Sequence, residues 1–185
     1  RYWEEKYDKR NGRFIFSELL QDKIGIGQNV DMSYYQYSGY CSGATSQDAQ
    51  PLNISSNENY FYRNYGKNYS KVSVMMRYLQ HYLGEEKLDI IMQDYYESWK
   101  FKHPGPKDFV SFFNKHLDED INWFFENMID STTYIDYKIS KKDGKYFLEN
   151  VGSFNAMAEV AYYDDDDQEI NRIWVRSKQK QTALD

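Results

Sequence analysis

The feature that most constrains this chain is a change in the spacing of its apolar residues near Ser131. Upstream of it, Val72, Met75, Met76, Leu79, Tyr82 and Leu83 recur every three or four positions, and Gly84 closes the run. That spacing is the period of one helix face, and a glycine is the usual stop. Leu88, Ile91, Met92, Tyr95 and Trp99 repeat the pattern. His103-Pro104-Gly105-Pro106 then breaks the chain. Pro106 suits the first position of a third helix, where its missing amide hydrogen costs nothing, and Phe109, Phe112, Phe113 and Leu117 form that helix's apolar side. Asp120 is placed to cap a fourth helix bearing Ile121, Phe124, Phe125, Met128 and Ile129.

Downstream of Ser131 the period falls to two. Tyr134 to Ile139 alternates, Lys142-Asp143-Gly144 reads as a hairpin turn, and Lys145 to Val151 reads as the returning strand. Ala156 to Tyr162 and Ile170 to Val175 add two more strands. The expected fold class is therefore α+β, a helical bundle followed by the start of an antiparallel β-sandwich, with too few strands to close it. The expected division is a mainly helical part over 1–131 and a β-strand module over 132–185.

The first third carries weaker signals. Residues 1–9 resemble the tail of a helix, and Asn11-Gly12 supplies a stop. Gly25 and Gly27 bracket a short apolar stretch, a helix is expected around Val30 to Tyr40, and the Ser-, Asn-, Gln- and Asp-rich stretch from Ser42 to Asn59 reads as loop. The chain opens at Arg1 with helix-forming residues and neither a cap nor a methionine, so it reads as a piece of a longer protein.

Charge and composition remove several function classes. The formal net charge is -6 with no Lys/Arg stripe, which disfavours a nucleic-acid partner. No run approaches the roughly 18 apolar residues of a membrane span. Cys41 is the only cysteine, so neither an intrachain disulfide nor a thiolate cluster can form. The three histidines, His81, His103 and His116, include no pair at the i, i+4 spacing of a zinc-binding helix, so no metal site is expected from this chain alone. Asp164 to Asp167 lacks the alternating ligands and central glycine of a calcium loop and reads as a solvated hairpin tip. A Gly-x-Ser-x-Gly nucleophile turn is absent. The 19 tyrosines remain, and the run Tyr34, Tyr35, Tyr37 and Tyr40 is too continuous to be buried on one face. An aromatic-rich, non-catalytic module binding peptide or glycan is one reading of that excess.

One stretch points elsewhere. Asn68-Tyr69-Ser70-Lys71 opens the strong helix, which runs through Val72-Ser73-Val74-Met75-Met76-Arg77-Tyr78-Leu79 to Leu83-Gly84-Glu85. It is followed by Tyr95, Trp99, Phe101, His103-Pro104, Asp108-Phe109, Asp120-Ile121 and Trp123-Phe124-Phe125. In order and spacing this resembles the gluzincin zinc aminopeptidases, the relatives of aminopeptidase N, from about Ala49 to Val175. The family's glycine after the lysine is Val72 here.

The resemblance implies that 1–131 is the C-terminal part of a thermolysin-like catalytic domain and that the strands begin the family's β-sandwich. It implies a zinc cofactor in the parent enzyme, a peptide substrate, and an upstream zinc domain of the same protein as the neighbour. The family's H-E-x-x-H ligands are not in these residues, so the chain is expected to be inactive alone. It also implies a catalytic role for Tyr69, the phenol that hydrogen-bonds the oxyanion of the tetrahedral intermediate. Tyr65-Gly66-Lys67 offers the same Tyr-x-Lys pattern in a second register.

Overall fold

A computed structural model describes residues 32–55, 57–58, 61–176 and 181–184. The expected helix tail at 1–9, the Asn11-Gly12 stop and the Gly25/Gly27 stretch lie outside the described residues. Helices come first: α1 (Met32–Ala44), α2 (Phe61–Leu83), α3 (Glu85–Trp99), α4 (Pro106–His116) and α5 (Asn122–Ile129). Strands follow: β1 (Tyr137–Lys142), β2 (Lys145–Asn150), β3 (Met157–Tyr163), β4 (Glu169–Arg176) and β5 (Gln181–Leu184). The α+β order read from the change of period is the order of the molecule.

The helical core is aromatic. Phe113, Phe124 and Phe125 are buried together with Met75, Leu79, Leu88, Ile91, Ile121 and Met128. Phe125 meets Phe109, Phe113 and Phe124 edge-on at 5.5, 5.2 and 5.2 Å between centroids. Such pairs add roughly 0.5–1.5 kcal/mol each beyond simple burial. Pro106 is the first residue of α4, and the Asp108 carboxylate accepts a hydrogen bond from the Gly105 amide at 2.8 Å.

Three local expectations are corrected. α2 does not begin at Asn68 but at Phe61, and it packs on α1 as well as on the helices that follow. Its buried face is Val74, Met75 and Leu79, while Val72 is exposed, so the inward face is turned slightly from the one expected. Asp120 is not the cap residue of α5. Ile121 holds that position, and the Asp120 carboxylate instead accepts the Asn122 amide at 2.8 Å.

The strands form two small sheets, one ordered β1-β2-β5 and one pairing β3 with β4, all antiparallel. Lys142 pairs with Lys145 across a two-residue turn in which Asp143 and Gly144 have φ of 50° and 79°. Positive φ at both positions is the turn whose twist suits a tight hairpin, and glycine adopts it without a steric penalty. Regular pairing starts at Tyr137, not Tyr134. The residues before it still bond to the segment after β2, with Val151 N donating to Asp136 O at 3.0 Å and Phe154 N to Tyr134 O at 2.9 Å.

The strand region and the helices share one core. Phe154 and Ala156, just before β3, are fully buried in the helical cluster. The Tyr78 hydroxyl donates to Met157 O at 2.7 Å, and Arg176 lies over the Trp123 ring at 5.0 Å.

Candidate functional site

Tyr69 stands on α2 in its third turn, not its first, because the helix starts eight residues earlier. It is 53% exposed. The next two residues on the same turn are held by the rest of the protein. Ser70 packs against Gly39 of α1, where an added Cβ would fall inside the van der Waals envelope of the Ser70 hydroxyl and 3.0 Å from its Cβ. Gly39 weakens the sequence signal for α1, and this close approach is the reason a glycine stands there.

Lys71 lies on the opposite side of the helix from Tyr69, about 200° around at 100° per residue. Its ammonium donates to Ser131 O at 2.6 Å and, over a longer 3.5 Å, to Asn127 O. Asn127 O is in the last turn of α5 and Ser131 O lies two residues past its end, a place where helix carbonyls lack helical partners and the helix dipole is negative. Burial pushes the Lys71 amine from 10.5 down to about 8.

The end of α5 is a dense polar node. Ser131 Oγ donates to Asn127 O at 2.8 Å, and the Thr133 hydroxyl donates to Asn127 Oδ1 at 3.0 Å. Leu52 N donates to Ile129 O at 2.9 Å, and Asn53 Nδ2 donates to Asp130 Oδ1 at 2.5 Å. A small cleft opens beside it, lined by Tyr40, Gln50, Asn68, Lys71 and Thr133 among others, but not by Tyr69. Burial also pushes the Tyr40 phenol upward, and that hydroxyl accepts the Ile135 amide at 3.5 Å. In the sequence Lys71 stands out only as part of the Tyr-x-Lys pattern.

The other candidates do not converge. His81 Nε2 meets Glu159 Oε2 at 2.7 Å on the surface, where Arg172 bonds the same oxygen at 2.7 Å. His116 bonds Phe112 O at 2.8 Å, and His103 is exposed. Cys41 is exposed. Asp164 to Asp167 form the exposed tip between β3 and β4, with Asp164 Oδ1 accepting the amides of Asp166 and Gln168 at 3.0 and 2.8 Å. Among the described residues no group of three His, Cys, Asp or Glu side chains is placed to hold a metal ion, and no helix is long and apolar enough to cross a membrane. Tyr65 lies in α2 one turn before Tyr69.

These features describe an α+β chain whose helical half presents an exposed phenol on a helix turn gripped from two other sides. The peptidase family M1 domain matches residues 17–128, more than half of the chain, and the chain belongs to that family. The match takes in α1 to α4 and most of α5, and it ends before the strands. Peptidases of this family are generally zinc-dependent. No curated protein and no solved structure matches the chain.

Proposed function

We propose that this chain is the portion of a zinc-dependent aminopeptidase that follows the metal site, with the helical residues to 131 closing the catalytic domain and 132–185 opening a β-sandwich. The observation that carries the reading is Tyr69, an exposed phenol on α2 inside the matched span. In this reading the zinc ligands belong to an upstream part of the parent, since the sequence carries no H-E-x-x-H motif, and this chain is inactive by itself.

The role of Tyr69 follows from simple electrostatics. Attack on a peptide carbonyl turns its oxygen from a weak acceptor into an oxyanion. A neutral phenol already held where that charge develops donates a hydrogen bond that strengthens in the transition state, and its alignment requires no reorganisation during the reaction. The rigid ring positions the hydroxyl, and the helix positions the ring.

The test is Tyr69→Phe in the zinc-loaded full-length protein. The ring and its packing remain, so folding is expected to survive. The turnover number is expected to fall by about a hundredfold or more with a smaller change in KM. Wild-type turnover would sink the assignment. Tyr65→Phe is the control, and a large loss there instead would show that the second register is the functional one.

A further inference from the structure

We propose that Lys71 is a positioning residue that fixes the Tyr69 hydroxyl by tying the opposite side of the same helical turn to carbonyls in and just after the last turn of α5. This rests on Tyr69 being the oxyanion donor. Three consecutive residues on one turn face three ways. Tyr69 is exposed, Ser70 is pressed against Gly39 of α1, and the Lys71 ammonium reaches Ser131 O and Asn127 O. A helix is a stiff rod, but rotation about its own axis and sliding along it are resisted only by what it packs against. Gly39 blocks both at Ser70, since the surfaces already touch. Lys71 supplies the second fixed point, almost diametrically opposite Tyr69.

The acceptors of this tether are themselves fixed. Asn127 is held by its own amide to Trp123 O at 2.6 Å and by the Thr133 hydroxyl, and Ser131 Oγ bonds Asn127 O. Lys71 is half-buried, so its methylene stem packs as well as its head. A solvated surface lysine would lack both the stem packing and the paired carbonyls. Placement errors near 1 Å at a reacting group can cost on the order of a hundredfold in rate, so a rotation of a few degrees at Tyr69 is enough to matter.

The experiment is a double-mutant cycle in the zinc-loaded full-length protein. Lys71→Met keeps the stem and removes the donor. Turnover is expected to fall by roughly ten- to a hundredfold, with KM within about twofold. Lys71→Arg, which restores a cation and donors, is expected to recover part of the loss. Tyr69→Phe/Lys71→Met is expected to be no slower than Tyr69→Phe, because a residue acting through the phenol has nothing left to position. If Lys71→Met does not fold, Lys71→Gln, polar but uncharged and one bond shorter than lysine, takes its place in the same cycle. Losses that multiply in the double variant, or an unchanged turnover in Lys71→Met while Tyr69→Phe is impaired, would overturn the positioning role and leave the Tyr69 reading standing. Wild-type turnover in Tyr69→Phe would overturn both.

Discussion

Replacing Lys71 by Met has a second consequence, which is read in stability rather than in rate. In the folded protein burial lowers the Lys71 amine from 10.5 to about 8. Below pH 8 it is protonated both folded and unfolded, and the folded state carries the full cost of burying a charge. Between about 8 and 10.5 the folded protein has released that proton while the unfolded chain still holds it. The unfolded state then binds more protons, so stability attributable to this residue rises with pH across the window. The difference of 2.5 between 10.5 and 8 corresponds to about 3 kcal/mol at the limit. The carbonyls of Asn127 and Ser131 and the negative end of α5 favour the ammonium and hold part of this back. The expected gain of wild type over Lys71→Met is therefore roughly 1–3 kcal/mol. Burial also pushes the Tyr40 phenol in the same cleft upward, the direction that favours its neutral form. Urea unfolding of both proteins, followed by tryptophan fluorescence at intervals from pH 7 to pH 10.5, measures the difference. Other groups titrate alike in the two proteins and cancel. A stability difference that stays flat, or shrinks as pH rises, would refute the reasoning.

Two other outcomes are expected. Phe124→Ala removes a fully buried ring that stacks on Tyr78 and meets Phe125, and it should lower the unfolding free energy by about 3–5 kcal/mol in urea titrations. A loss under about 1 kcal/mol would mean that the aromatic core is not packed as described. Gly39→Ala sets about 1–3 kcal/mol of overpacking against Ser70 over a helix-propensity gain of up to about 1 kcal/mol. Ser70→Ala should recover part of the net loss, and strictly additive melting-point shifts in the double variant would show that the two residues do not touch.

Much of this was legible because the core is built from regular repeats. Pro106, the Phe109/Phe113 face and the Asp143-Gly144 turn each announce themselves locally, and the structure puts them where the spacing does. What escaped depends on distant partners. The start of α2 is rich in polar and tyrosine residues and includes Gly66, so no apolar stripe marks it. β5 is four residues long, too short to show alternation, and exists by pairing with β2 across the intervening β3–β4 hairpin. Tyr69 was singled out by resemblance, not by pattern. The tether at Lys71 had no local signature, because its acceptors are main-chain carbonyls about sixty positions downstream.

The polar node at the end of α5 also bears on the order in which the chain folds. Asn53 and Asp130 are 77 positions apart, and Lys71 and Ser131 are 60 apart. An eight-residue helix is too short to persist on its own, and its last carbonyls are closed by groups that arrive only after long loops have been brought together. The C-terminal turn of α5 is thus expected to form late and cooperatively in folding. Amides that close it, such as Leu52 and Asn53, should exchange with solvent together with the global opening of the helical half, although they belong to a loop. A cut in the chain between α1 and α2 would fray α5 from a distance, leaving the helix sequence intact and its ending undone.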